Sequence, residues 1–92
     1  MVECRVTIVN RLGLHARAAA KLVRAAGSFQ SSLRLVRLSP DVSADAKSIL
    51  SVLMLAASRG TELRIIAEGA DEQAALDALC RLISGGFGEE EE

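Results

Sequence analysis

Residues 2–27 read VECRVTIVNRLGLHARAAAKLVRAAG, and this stretch decides the fold. Val2, Cys4, Val6 and Ile8 alternate with Glu3, Arg5 and Thr7, the period of a strand with one face buried. Asn10 to Gly13 break that period as a loop. From Ala16 to Ala26 the residues are good helix formers, and Ala19, Leu22, Val23 and Ala26 are spaced to bury one face. Gly27 stands where a left-handed C′ glycine would close such a helix. The opening is therefore strand, loop, helix.

The same periods continue downstream. Leu33 and Leu35 begin a second strand that extends toward Arg37 and Leu38, and Ser39-Pro40-Asp41 is turn chemistry. Val42 to Asp45 then reads as a short return strand. A second helix is expected to begin at Ser48 and to end at Arg59-Gly60. Leu63, Ile65 and Ala67 alternate with Glu62, Arg64, Ile66 and Glu68 as a fourth strand closed by Gly69. Asp71 and Glu72 suit a helix start. Ala75, Leu76, Leu79, Cys80 and Ile83 then form one apolar helical stripe ended by Gly85-Gly86. The order β-α-β-β-α-β-α most simply makes one mixed or antiparallel sheet with all helices on one face, an α+β domain.

Composition narrows the function classes. Ninety-two residues make one domain, expected to occupy residues 1–88 with an acidic tail at 89–92. A chain of this size buries only ~60–65% of the surface it exposes unfolded. Half of it is hydrophobic, yet it has two Phe and no Tyr or Trp, so the core must be aliphatic and stacking platforms for nucleic acid are lacking. One His and two Cys cannot supply a four-ligand zinc site, and no glycine-rich nucleotide loop is present. No metal or cofactor is expected. The longest apolar stretch, Ile49 to Ala57, is interrupted by Ser51 and falls far short of the ~20 residues of a membrane span. The start lacks a signal-peptide pattern, so a soluble intracellular protein is expected.

The net charge of −1 conceals an asymmetry. Residues 1–46 carry seven Lys and Arg against three acids, and residues 47–92 carry four against nine. Glu89 to Glu92 read as a solvated end. The basic excess lies around the only histidine, where it suits an anionic group or an acidic partner.

That histidine is in the window Gly13-Leu14-His15-Ala16-Arg17-Ala18. It falls at or near the N-cap of the first helix. The amides of Ala16, Arg17 and Ala18 then lack intrahelical partners and point toward the ring. The positive end of the helix dipole disfavours an imidazolium. An anion attached to the ring would meet those amides, and Arg17 could add a charge-assisted hydrogen bond. A neutral ring nitrogen beside an anion site is what reversible phosphoryl acceptance requires. A lone histidine at a helix start is usually a simple cap; its combination with Gly13 and the polar loop ahead sets chemistry level with that reading.

The run Asn10-Arg-Leu-Gly-Leu-His-Ala-Arg resembles the active-site signature of the HPr phosphocarriers of the bacterial phosphoenolpyruvate phosphotransferase system. Ala46-Lys47-Ser48-Ile49-Leu50 is similar to the segment around that family's regulatory serine. The resemblance spans Val2 to Phe87 and implies the family's open-faced β-sandwich, a four-stranded antiparallel sheet with three helices on one face. The sugar-branch members usually carry proline three positions after the histidine, where this chain has Ala18. That departure, with the ending Phe87-Gly-Glu-Glu, looks more like the nitrogen-related (NPr) members.

The resemblance implies a carrier rather than an enzyme. His15 would accept a phosphoryl group on Nδ1 from phosphorylated enzyme I and pass it to an enzyme IIA-type protein, with Arg17 and the first-turn amides neutralising the phosphoryl oxygens. It also implies phosphorylation of Ser48 by an HPr kinase/phosphorylase, although a serine there is equally a plain N-cap. A monomer in the cytoplasm is expected, without nucleic-acid or membrane contacts. The segment after Ser48 is too apolar to be buried all round, so Val52, with Met54 or Leu55, is expected inside. Ile49, Leu50 and Leu53, joined by Leu14 and rimmed by Lys21 and Arg24, are expected to form the partner-docking patch. Their alternative place is the core. Cys4 and Cys80 read as small buried residues with free thiols. Two other functions compete: an HPr-like module that regulates partners without passing phosphate on, and a small-molecule binder, for which the aliphatic composition offers no polar lining.

Overall fold

The computed structural model describes residues 1–39 and 41–89. Its elements are β1 (Val2–Thr7), α1 (Ala16–Gly27), β2 (Ser32–Arg37), β3 (Val42–Asp45), α2 (Ile49–Met54), β4 (Glu62–Glu68) and α3 (Glu72–Ser84), followed by a 3-10 turn at Gly86–Gly88. The strands form one antiparallel sheet in the order β1-β4-β2-β3. The expected α+β architecture is present, with three helices on one face. Expected Pro40 turn chemistry lies outside the described residues, as do Glu90 to Glu92.

Register explains why one face is buried. Cys4 pairs with Ile65, Ile65 with Leu35 and Leu35 with Ala44, so a single row of apolar side chains crosses the inner face. Glu3, Arg5, Arg34 and Ser43 fall on the other face and are exposed. There Arg5 pairs with Glu62 at 3.7 Å and Arg64 with Glu3 at 3.5 Å. Leu22 of α1, Val52 of α2, and Leu79 and Ile83 of α3 cover the inner row and are wholly removed from water, as are Leu35, Leu63 and Ile65. Each such side chain is worth about 1.5–3 kcal/mol. The aliphatic core is continuous from sheet to helices.

Four local expectations are corrected. Gly27 is the last helical residue and not a left-handed cap. Ser28 closes α1 instead: its hydroxyl donates to the Ala25 carbonyl at 2.7 Å, and Phe29 N–H donates to Ala26 O at 3.2 Å. Val23, on the expected buried face, is only partly buried.

The second helix stops at Met54, well before Arg59-Gly60. Ala56 turns left-handed (φ 49°), and the Ala57 carbonyl accepts from Leu14 N–H at 2.9 Å rather than continuing a helix. Val52 and Leu55 are in the core, and Met54 is exposed.

Asp71 precedes α3 as anticipated, yet makes no side-chain cap. Its carboxylate reaches across to the turn before β2, accepting from the amides of Gln30 and Ser31 and from the Ser31 hydroxyl. Those bonds hold its pKa down at about 2.

The cysteines are not free thiols. Cys4 on β1 and Cys80 on α3 form a disulfide, with Cα atoms 7.5 Å apart. The packing of α3 across β1 brings together two positions 76 residues apart in sequence.

Candidate functional site

The loop from Asn10 to Leu14 is held from both sides. Gly13 is left-handed (φ 66°), and a β-carbon there would lie 2.5 Å from the Ala57 carbonyl oxygen. Leu14 N–H donates to that same oxygen. Asn10, itself buried, donates from Nδ2 to the Gly13 carbonyl at 2.8 Å. The loop is thus pinned against the chain that follows α2, and it delivers His15 to the start of α1 in one position.

His15 is the N-cap of α1, with extended backbone (φ −77°, ψ 177°). Its carbonyl accepts from Ala19 N–H at 2.8 Å, the first turn of the helix. Its Nδ1 accepts from Arg17 N–H at 3.3 Å, so the ring itself caps the helix. The Nδ1 lone pair consequently points at the Arg17 amide in the first turn of the helix. The other ring nitrogen, Nε2, is 2.6 Å from a Glu89 carboxylate oxygen. The side chain of His15 retains 25% of its exposure, enough to be approached from solvent. Arg17 is exposed beside it.

Glu89 is the residue that sequence reasoning missed. In sequence it belongs to an acidic run that reads as solvated, yet it is half-buried against His15, and its second oxygen accepts from Asn10 Nδ2 at 3.0 Å. The hydrogen bond from His15, then that from Asn10, and the nearby Lys21 hold its carboxyl below the ordinary glutamate range, against the opposing effect of burial. The signal available was Phe87 between two glycines just past the last helix. An aromatic so placed seeks the core and draws the following residues back with it. Phe87 is indeed almost fully buried.

The proposed docking residues divide. Ile49 and Leu50 are exposed, at 42% and 69%. Leu53 packs partly against the core, and Met54 takes the outward position instead. Leu14 is buried, because its backbone is tied to Ala57, and so offers no surface. Lys21 is not a free rim charge: its Nζ donates to the Phe87 carbonyl at 2.7 Å. Arg24 is exposed but lies about 13 Å along the axis from His15 at 1.5 Å per residue. Ser48 caps α2 by accepting from Ser51 N–H at 3.3 Å, a position it holds whether or not it is ever modified.

Among the described residues, no cluster of three His, Cys, Asp or Glu side chains could hold a metal. No helix among them is long and apolar enough to cross a membrane. No pocket that would serve a small-molecule binder is found there.

A histidine that caps a helix through Nδ1, on an antiparallel sheet covered by three helices, defines a class of small α+β protein. A family profile described as "PTS HPr component phosphorylation site" matches residues 2–85. The phosphocarrier protein HPr of Cupriavidus necator is 50% identical over 91 residues, covering 99% of this chain and all of that one. The crystal structure of HPr from Thermoanaerobacter tengcongensis superposes with a TM-score of 0.92 at 40% identity, covering 99% and 100% of the two chains. A structure described as an HPr dimer from the same organism gives 0.75 at 39% identity, covering 97% and 100%. The chain belongs to the HPr family, the phosphocarrier proteins of the phosphotransferase system, and is a carrier rather than an enzyme.

Proposed function

We propose that this chain accepts a phosphoryl group on His15 Nδ1 from phosphorylated enzyme I and yields it to an enzyme IIA-type protein. The observation that carries this reading is the cap itself: the Nδ1 lone pair faces Arg17 N–H at the start of a twelve-residue helix. In the transfer, that lone pair forms an N–P bond while the donor's bond to phosphorus breaks and its electron pair returns to the donor. Arg17 N–H, released from the ring nitrogen, is then placed to bond a phosphoryl oxygen, together with the amides of Ala16 and Ala18 and the guanidinium of Arg17. Little covalent work is asked of the protein; positioning and charge do the rest.

The finer assignments follow from particular residues. Service in the nitrogen-related branch rests on Ala18, which keeps an N–H at the third helical position where proline has none. Modification of Ser48 by an HPr kinase/phosphorylase rests on its partly exposed place at the start of α2. A dianion there would sit beside Ile49 and Leu50 and repel an acidic partner docking on them. The protein is proposed to work in the cytoplasm as a monomer, with these apolar residues left open for transient partners.

The test is phosphoryl transfer from phosphoenolpyruvate through a matched enzyme I, comparing the native chain with His15→Ala. An acid-labile, base-stable label that is lost in the variant supports the carrier, and added enzyme IIA proteins of each branch then show where it goes. No label from active donors of either branch overturns the reading.

A further inference from the structure

The chain beyond α3 follows a path that ordinary residues avoid. Gly86, Phe87 and Gly88 are all left-handed, with φ of 67°, 60° and 71°. For Phe87 this conformation is strained, since its β-carbon crowds the following carbonyl. Burial of the ring and the bond from Lys21 Nζ to its carbonyl oppose that strain. The result of the turn is that Glu89, the next residue, reaches His15 on the side away from α1.

Both ends of the imidazole are then specified. The Glu89 carboxylate is ionised and can only accept, so His15 Nε2 must carry a hydrogen. Arg17 N–H can only donate, so Nδ1 must present a lone pair. Asn10 is oriented by the same logic: both atoms facing its Nδ2, Gly13 O and Glu89 Oε1, are acceptors, so the amide group lies on their side and steadies the carboxylate.

Building on the carrier reading, we propose that Glu89 is a positioning residue for phosphoryl transfer, holding His15 in the Nε2–H form that leaves Nδ1 free to bond phosphorus. When Nδ1 takes the phosphoryl group, the Nε2 proton stays in place and the ring gains positive charge. The carboxylate 2.6 Å away offsets that charge. When the group departs, the N–P electron pair returns to Nδ1 and the ring is neutral again. Lys21 is near the same carboxylate, and Arg17 follows the ring on α1; both are cationic, and the counter-charge on the Nε2 side is Glu89. The carboxylate thus acts on the nitrogen that does not react.

The experiment compares the native chain with Glu89→Gln, Glu89→Ala and the conservative Glu89→Asp. Nitrogen-15 NMR of His15 in the unphosphorylated protein reads the tautomer directly, whether or not any donor acts on it. The native ring should be a single Nε2–H form, and Gln and Ala should give a mixture that Asp partly restores. Transfer from phosphorylated enzyme I should fall on the order of 10-fold in kcat in Gln and Ala, with KM for enzyme I little changed. An unchanged tautomer in both variants overturns the proposal, as does an altered tautomer with an unaltered rate. If the native protein takes no label at all, the carrier reading has failed, while the nitrogen-15 spectra still decide whether Glu89 sets the ring.

Discussion

Gly13 and Ala57 meet backbone to backbone: a β-carbon on Gly13 would sit 2.5 Å from the Ala57 carbonyl oxygen. This contact ends α2 early and presents His15. Gly13→Ala combines a left-handed strain with that collision and should cost about 2–4 kcal/mol. Thermal unfolding should show a Tm lower by at least ~10 °C, with His15 displaced from its cap. A Tm within a degree or two of native would show that the loop can yield.

Asp71 and Ser31 tie the start of α3 to the turn before β2. The carboxyl pKa lies at about 2 in the folded chain, below its unfolded value of 3.8. A depressed pKa contributes stability that is complete above the unfolded value and is lost as pH falls through the folded one. Chemical denaturation between pH 4 and pH 2 should therefore show a fall in stability that is smaller in Asp71→Asn. Equal slopes for the two proteins would contradict the assignment.

The disulfide should be a measurable staple. Reduction releases Cys4 from Cys80 and frees a long loop in the unfolded chain, for an expected loss of about 2–4 kcal/mol. Tm should drop on adding a reductant, and the double substitution Cys4→Ala/Cys80→Ala should be insensitive to it. Equal Tm values with and without reductant would argue against the bond.

Along α2, surface and core alternate within four residues. Ile49→Glu should leave Tm nearly unchanged and reduce transfer at least ~10-fold, as loss of an apolar anchor does. Val52→Ala should do the reverse, costing about 2 kcal/mol with transfer intact at low temperature. The paired measurement separates docking from folding.

Ala18→Pro removes one N–H at the start of α1. If that amide serves the bound phosphoryl group, the phosphohistidine should hydrolyse at a different rate in the variant. An identical lifetime would show that Arg17 N–H and the remaining donors suffice.

Much of this was legible from local pattern. The limits of β4 follow from alternation and those of β3 from the turn residues ahead of it, and His15 and Ser48 occupy caps that their neighbours in sequence announce. What was hidden depends on distant partners. The end of α2 depends on Leu14 taking the Ala57 carbonyl, and nothing within residues 48–60 reveals that bond. Cys4 and Cys80 are neighbours only because α3 crosses β1. Glu89 looks like any member of a charged run until Phe87 is seen to be core, and its partners lie 74 and 79 residues earlier. The buried Leu14 was misplaced for the same reason. Its side chain follows a backbone held by a segment more than forty positions away.

The order β1-β4-β2-β3 also sets a timetable for a chain emerging from the ribosome. β1 is made first, yet its one strand neighbour is β4, and Val2 must wait for Ala67. In the interval only the β2–β3 hairpin can zip locally, and it gains its second neighbour when β4 slides between it and β1. Of the two inner strands, β4 is the last strand of the sheet to be synthesised. The sheet is therefore completed only when the chain through Glu68 has emerged, and until then the apolar face of β1 has no strand beside it.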